Sequence, residues 1–174
     1  MRSFIAINFN NDTRTQLLKL RDKLSSHSKS GNFSRSENIH LTLVFLGECD
    51  ASQIGAAKAA LNALVFSPFS FEIDRVGRFR RYGGDIWWAG LKENKSLSSL
   101  YNILSGLLRD VGFELENRKF SPHITLGREI VTSIEPWDIE PFGERVTAIE
   151  LMKSERIQGK LTYSAVHRKR SESS

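Results

Sequence analysis

Apolar and polar positions alternate with a period of two in several short windows of this chain, and recur every three to four residues in three longer ones. The first window, Ser3 to Phe9, reads as a strand. Asn10-Asn11-Asp12 then supplies capping side chains for a helix over 12–26. Ser25 to Gly31 is polar and reads as a loop, with His27 in solvent. Ile39 to Leu46 alternates again and closes at Gly47. Asp50 followed by Gln53 is a capping-box pattern that opens a helix over 51–65, with Ile54, Ala57, Leu61 and Leu64 on one side. Pro68 ends it, and Phe69, Phe71 and Ile73 alternate with Ser70, Glu72 and Asp74 in a strand to Val76. A basic turn through Arg78, Arg80, Arg81 and Tyr82-Gly83-Gly84 leads to a strand over Asp85 to Leu91. A third helix spans 96–111, its stripe running from Leu97 to Val111 and its stop at Gly112. Residues 132–144, with Pro136 and Pro141, read as a loop before two last strands, Val146 to Met152 and Leu161 to His167.

Two of these windows contain the same string. His40-Leu41-Thr42-Leu43 and His123-Ile124-Thr125-Leu126 lie 83 residues apart (123 less 40) and share the order His, apolar, Thr, apolar. On a strand, alternate side chains share a face, so each string presents an imidazole and a hydroxyl together and buries its apolar partners. The same offset lays Phe4-Ile5-Ala6 on Trp87-Trp88-Ala89, the helical stripe Leu17, Leu20, Leu24 on Leu100, Ile103, Leu107, and Arg35 on Arg118. We read this as an internal duplication of a strand–helix–strand unit. The class is α+β: antiparallel sheets from two lobes, helices outside, and the two His-Thr strands facing a central groove. The symmetry is partial, because only the first copy has a helix after its His-Thr strand. No linker divides the chain, so residues 1–174 form one bilobal domain, with a flexible tail from about residue 169.

Composition changes this picture little. The 174 residues are 40% hydrophobic and 26% charged, ordinary for a globular protein with a sizeable core. No apolar stretch is long enough to span a membrane, and no leader pattern precedes the first strand. The lone cysteine, Cys49, reads as an inert turn residue in a reducing, cytoplasmic setting, since its neighbours include no activating base. A net charge of +5 favours an anionic partner mildly.

The chemistry rests on the paired strings. At neutral pH one imidazole can accept a proton while another donates one, and displacement at phosphorus runs in line between an entering and a leaving oxygen. Two His and two Thr supply a base, an acid and donors for the non-bridging oxygens. The sequence has no metal-binding signature and no nucleotidyl-lysine motif, so no metal and no cofactor are expected. Arg128 lies five residues past His123. Strict alternation turns it away from the imidazole unless Gly127 introduces a bulge. Trp87, Trp88, Phe9 and Tyr163 are the aromatics that could stack a base, and only one of the two adjacent tryptophans can face the groove. His167, near the end, has no expected role.

These strings and their surroundings resemble the two-histidine (2H) phosphoesterases, and among them the RNA 2′,3′-cyclic phosphodiesterases once described as 2′-5′ RNA ligases. The likeness is carried by Phe4-Ile5-Ala6-Ile7, Glu37 to Glu48, Trp87-Trp88-Ala89-Gly90, Arg118 to Arg128 and Tyr163. It implies a bilobal pseudo-twofold fold with the site between the lobes. It also implies that His40 is the proton donor and His123 the proton acceptor, with Thr42, Thr125 and Arg128 on the phosphate. Arg35, Arg118, Trp87 and Tyr163 are the expected contacts to base or RNA. The residues alone do not say which His is acid and which is base. The expected substrates are RNA ends or small cyclic-phosphate nucleotides, met by a monomer that needs no membrane. The competing readings are 2′-5′ RNA ligation and a groove that binds a nucleotide or RNA end without turnover.

Overall fold

The computed structural model describes residues 1–173. In chain order the elements are β1 (Arg2–Ile7), α1 (Asn11–Ser26), β2 (Ser28–Phe33), a 3-10 turn (Ser36–Asn38), β3 (Leu41–Glu48), α2 (Ala51–Ala63), β4 (Phe69–Phe79), β5 (Asp85–Leu91), α3 (Lys95–Asp110), β6 (His123–Thr132), β7 (Trp137–Val146), β8 (Ala148–Ile157) and β9 (Lys160–Arg170). They form two antiparallel sheets, a four-stranded one in the order β3-β1-β8-β9 and a five-stranded one in the order β2-β6-β5-β4-β7. The sheets meet where β3 approaches β6.

Helix starts follow the capping chemistry read from the sequence. Asn10 accepts from the Thr13 N–H, Asp50 and Gln53 form a reciprocal capping box, and Asn94 accepts from the Leu97 N–H. Gly112, at φ 100°, takes the left-handed conformation that ends α3. Leu17 and Leu24 of α1, Leu61 of α2, and Leu104 and Leu108 of α3 are fully buried against one face of the sheets, each stabilising the fold by roughly 1.5–3 kcal/mol. Ile5, Ile7, Leu41 and Leu43 point into this core, whereas Phe4 and Ala6 pack with Met152 and Tyr163 on the opposite face.

The duplication is visible in strand register. In the first half Ala6 pairs with Thr42, Ile5 with Val44 and Phe4 with Phe45, which leaves Leu43 as an extra residue. In the second half Trp88 pairs with Thr125 and Trp87 with Gly127, which leaves Leu126 as the extra residue. Both His-Thr strands therefore carry a β-bulge at the same step, immediately after the Thr.

Three expectations are corrected. The loop placed at 25–31 is partly β2, and the loop at 132–144 is largely β7. Both are edge strands, where half the backbone ladder faces away from any partner. Neither segment needs the apolar alternation that marks a central strand. Pro141 falls between the pairs Asp138–Arg75 and Phe142–Ile73, in an irregular stretch that has no use for its missing N–H. The tail expected to be flexible from about residue 169 continues β9 to Arg170. Beyond it the Ser171 N–H donates to the Thr147 carbonyl and that of Glu172 to the Phe66 carbonyl.

Candidate active site

His40 leaves the 3-10 turn just ahead of β3, and His123 opens β6. Both imidazoles are held in the same way. His40 Nδ1 lies 2.8 Å from the Asn38 carbonyl and His123 Nδ1 lies 2.8 Å from the Ser121 carbonyl. A carbonyl can only accept, so Nδ1 carries the proton in each neutral ring and Nε2 is left with the reactive lone pair. The two carbonyls each come from the residue two before the His, so the repeat extends to the groups that set the tautomer.

The surroundings differ. The His40 ring stacks on Phe4 at 4.8 Å and meets the edge of Tyr163 at 5.2 Å. Its Nε2 is 2.8 Å from the Thr42 hydroxyl. Burial pushes the His40 pKa below its ordinary value; the Asn38 carbonyl opposes the shift, and the Arg14 and Arg128 guanidiniums add to it. His123 is half-exposed and stands edge-on to Phe79 at 5.1 Å, with Trp88 at 6.4 Å. Among the described residues neither its Nε2 nor the half-buried Thr125 hydroxyl has a hydrogen-bond partner. One half of the site is closed on itself and the other is open.

Arg128 reaches the site because of the bulge. The step at Leu126 sends Gly127 to the core side with Trp87, so Arg128 emerges on the face of Thr125 and Trp88. Its charge acts on both His40 and Tyr163. Burial raises the Tyr163 pKa, with Arg128 and Arg2 opposing, so the phenol stays protonated. The alternation argument alone would have lost this arginine.

Trp87, expected to contact a base, is corrected. It is completely buried in the main core, beneath the Arg78 guanidinium and beside Trp137. Trp88 is the tryptophan on the site face. The ungapped offset of 83 lays Phe4 on Trp87, yet in register Ala6 is the equivalent of Trp88 and Ile5 that of Trp87. A slip of one residue exchanges the two faces of a strand.

Arg35 and Arg118 lie at the surface, ion-paired to Glu37 and Glu116 respectively. Arg35 also donates to the Leu161 carbonyl at 3.2 Å. His167 is 2.7 Å from the Asn62 side-chain oxygen, on the far part of β9. Cys49 is buried, and burial raises its thiol pKa. Among the described residues no three His, Cys, Asp or Glu side chains gather as a metal site would need.

Two residues of the site, Phe79 and Arg14, escaped sequence reasoning, and the sequence marks Trp88 only as one of two tryptophans able to face the groove. Phe79 and Trp88 form the wall behind His123, their rings 5.4 Å apart. Arg14 of α1 donates to the carbonyls of Ser36, the first residue of the turn that aims His40, and of Ile39, just past it. Its only sequence signal was an arginine on the inward stripe of a helix, three residues before Leu17.

Comparisons with known proteins identify the family. A family model described as LigT like Phosphoesterase matches residues 7–88. The RNA 2′,3′-cyclic phosphodiesterase of Thermotoga maritima is 37% identical over 131 residues, covering 74% of this chain and 70% of the relative. That of Archaeoglobus fulgidus is 30% identical over 151 residues, covering 83% and 85%. This chain belongs to that family. Among solved structures, E. coli LigT complexed with 3′-AMP superposes with a TM-score of 0.85 at 28% identity, covering 99% of this chain and 98% of that one. The α+β pseudo-twofold architecture is thus the family's own, and this phosphoesterase carries one His-Thr string in each of its two sheets. Among the described residues no helix is long and apolar enough to cross a membrane.

Proposed function

We propose that this phosphoesterase opens 2′,3′-cyclic phosphates, on RNA ends or small nucleotides, to 2′-phosphomonoesters by two-histidine acid/base catalysis. The observation that carries the reading is the matched pair of imidazoles. Each has Thr two residues on, and each has its Nδ1 proton held by the carbonyl two residues back, which leaves Nε2 with the lone pair. One pair would suit a binding loop. Two pairs suit an acid and a base.

In this reading the cyclic phosphate sits between β3 and β6. His123 Nε2 takes a proton from water, whose oxygen attacks phosphorus in line with the 3′ oxygen. The P–O3′ bond breaks, and imidazolium His40 gives its Nε2 proton to the departing oxygen. The phosphate stays on the 2′ oxygen, and solvent exchanges the protons back. The Thr42 and Thr125 hydroxyls donate to the non-bridging oxygens, and the Arg128 charge balances the phosphate. The depressed pKa of His40 is compatible with an acid role. A bound phosphate offsets the repulsion from Arg128 and so favours the imidazolium, while burial, the larger cause, still keeps it a stronger acid than an ordinary imidazolium. Proton transfer by the two rings makes the step independent of a metal. Tyr163, beside His40, and the surface arginines Arg35 and Arg118 are contacts to the remainder of an RNA end. Both imidazoles come from one chain, so a monomer suffices, and the single thiol fits a cytoplasmic setting.

The test is incubation with a 2′,3′-cyclic mononucleotide in EDTA. Release of the 2′-monophosphate supports the reading, whereas retention without conversion would make the site a binding module. Water at bulk concentration favours hydrolysis over 2′-5′ ligation, and an RNA with both ends present checks the reverse direction. His40→Ala and His123→Ala should each lower turnover by roughly 10²–10⁴ while remaining folded.

A further inference from the structure

The last strand, β9, ends in a run of basic residues, His167-Arg168-Lys169-Arg170, that the acid/base chemistry does not use. A bulge sorts them. Leu151 pairs with His167 and Met152 with Ala165, which leaves Val166 as an extra residue. Past that step the alternating side chains exchange faces. His167 and Lys169 turn to the helix side, where both bond to Asn62 of α2. Arg168 and Arg170 turn to the other side, the one that carries Tyr163 and Phe4. Strand register then aligns Arg168 with the site. Thr42 pairs with Ala6, Ala6 with Glu150, and Glu150 with Arg168, a single row across all four strands. Directly opposite residues share a face, so Arg168 stands on the face of Thr42 and of the Phe4 ring that stacks on His40. Glu150 in that row is 12% exposed; it accepts from Asn8 Nδ2 at 3.0 Å and lies 3.5 Å from Arg168. Arg170 is exposed and, among the described residues, has no ion-pair partner. Glu150, Arg168 and Arg170 border an open groove of about 670 Å³ along this end of β9.

We infer that this face of the four-stranded sheet is a track for single-stranded RNA, on which Arg168 and Arg170 grip a phosphate upstream of the cyclic one. The inference rests on the reading of the site as a two-histidine cyclic phosphodiesterase. In that reading the 3′ oxygen departs toward His40 while water enters from the open His123 half. The ribose and the chain attached to it therefore lie over β3 and the strands beside it. With strands about 4.8 Å apart, Arg168 stands about 14 Å from Thr42, too far for the reacting phosphate and within reach of one further along the chain. Between Tyr163 and Arg168 the face is floored by Ala6 and Ala165, whose small side chains leave room for a sugar-phosphate backbone. Glu150 holds the Arg168 guanidinium in place without cancelling the field, because two exposed cations outnumber one nearly buried carboxylate. Phosphate contacts position a nucleic acid and carry no sequence information, so the track favours an RNA chain over a mononucleotide irrespective of its bases.

The test compares wild type with the double variant Arg168→Gln, Arg170→Gln on adenosine 2′,3′-cyclic phosphate and on a tetra-adenylate ending in the same cyclic phosphate. The double variant should raise KM for the tetranucleotide by roughly tenfold, the scale of a lost charge-assisted hydrogen bond. It should also flatten the salt dependence of tetranucleotide KM, by about 0.7 in logarithmic slope for the phosphate contact removed. Its kcat, and both constants on the mononucleotide, should stay unchanged, and Arg168→Lys with Arg170→Lys should recover most of the loss. Lys19→Gln with Lys95→Gln, which removes the same charge from exposed positions on α1 and α3, should leave the tetranucleotide KM as in wild type. An unchanged tetranucleotide KM in the Arg168, Arg170 variant would overturn the inference, as would an equal rise in the helix variant. So would an equal loss on the mononucleotide, the signature of a general disturbance of β9. Binding of tetra-adenylate 3′-phosphate, followed by fluorescence anisotropy, needs no turnover. If wild type hydrolyses neither substrate yet binds this RNA in a way that depends on Arg168 and Arg170, the proposed activity fails and the track stands.

Discussion

Replacing Arg14 with methionine removes the clamp on the turn that aims His40 while keeping the length and apolar stem of the side chain. Arg14 Nη1 donates to the Ser36 carbonyl and to that of Ile39 at 3.1 Å, and Nη2 makes a long contact of 3.4 Å to the Phe9 carbonyl. Hydrogen bonds from a charged donor are worth about 1.5–3 kcal/mol each, so the two good bonds set an upper range of about 3–6 kcal/mol. These groups are partly rather than fully buried, and water can recover some of the loss, which brings the expected cost to about 3 kcal/mol. That is a large part of a typical stability of about 5–15 kcal/mol. With a urea slope of roughly 2 kcal/mol per molar, the unfolding midpoint should fall by about 1.5 M. The same substitution removes one of the two cations that disfavour imidazolium at His40. An NMR titration should therefore show the His40 pKa rising, yet staying below its ordinary value, because burial is the larger cause. A midpoint shift below about 0.3 M, about a fifth of the expected change, would refute the clamp. A fall in the His40 pKa would refute the electrostatic part.

Other outcomes follow from the same geometry. The folded-state pKa of His40 lies below its unfolded value of 6.5, so the unfolded chain takes up the proton first. Stability held above pH 6.5 should decline as the pH falls through the folded-state pKa, and His40→Gln should flatten that decline in denaturation curves taken across this window. Trp87→Ala should cost about 3–5 kcal/mol of stability, while Trp87→Phe should leave KM unchanged; a raised KM without destabilisation would restore Trp87 as a base contact. A Cβ at Gly77 would come within 2.4 Å of the Trp88 ring. Gly77→Ala should displace the wall behind His123 and lower turnover by up to roughly 10², visible as a kcat loss larger than any change in thermal midpoint.

Much of this was legible from residue order. The His-apolar-Thr-apolar strings alternate cleanly because each has one face on the core, and the caps at Asn10 and Asp50 are local side-chain chemistry that needs no tertiary context. β2 and β7 were not legible, since Ser28 to Phe33 has only one large apolar residue and Trp137 to Val146 contains a proline. Their pairing is supplied by β6 and β4, not by their own pattern. Trp87 and Trp88 exchanged roles for a different reason. The repeat is 83 between the His-Thr strands but 82 between β1 and β5, as the pairs Ala6–Thr42 and Trp88–Thr125 require, and no ungapped comparison carries both offsets. Arg128 was found through the family likeness and conditionally through Gly127.

The pH dependence of kcat/KM on a cyclic mononucleotide, recorded for wild type and for His40→Ala and His123→Ala, tests the proton shuttle directly. Wild type should give a bell that belongs to the coupled pair; His123→Ala should lose the limb that rises on the acidic side, and His40→Ala the limb that falls on the alkaline side. A flat wild-type profile between pH 5 and 8, or a bell that survives in either variant, would contradict two-histidine catalysis.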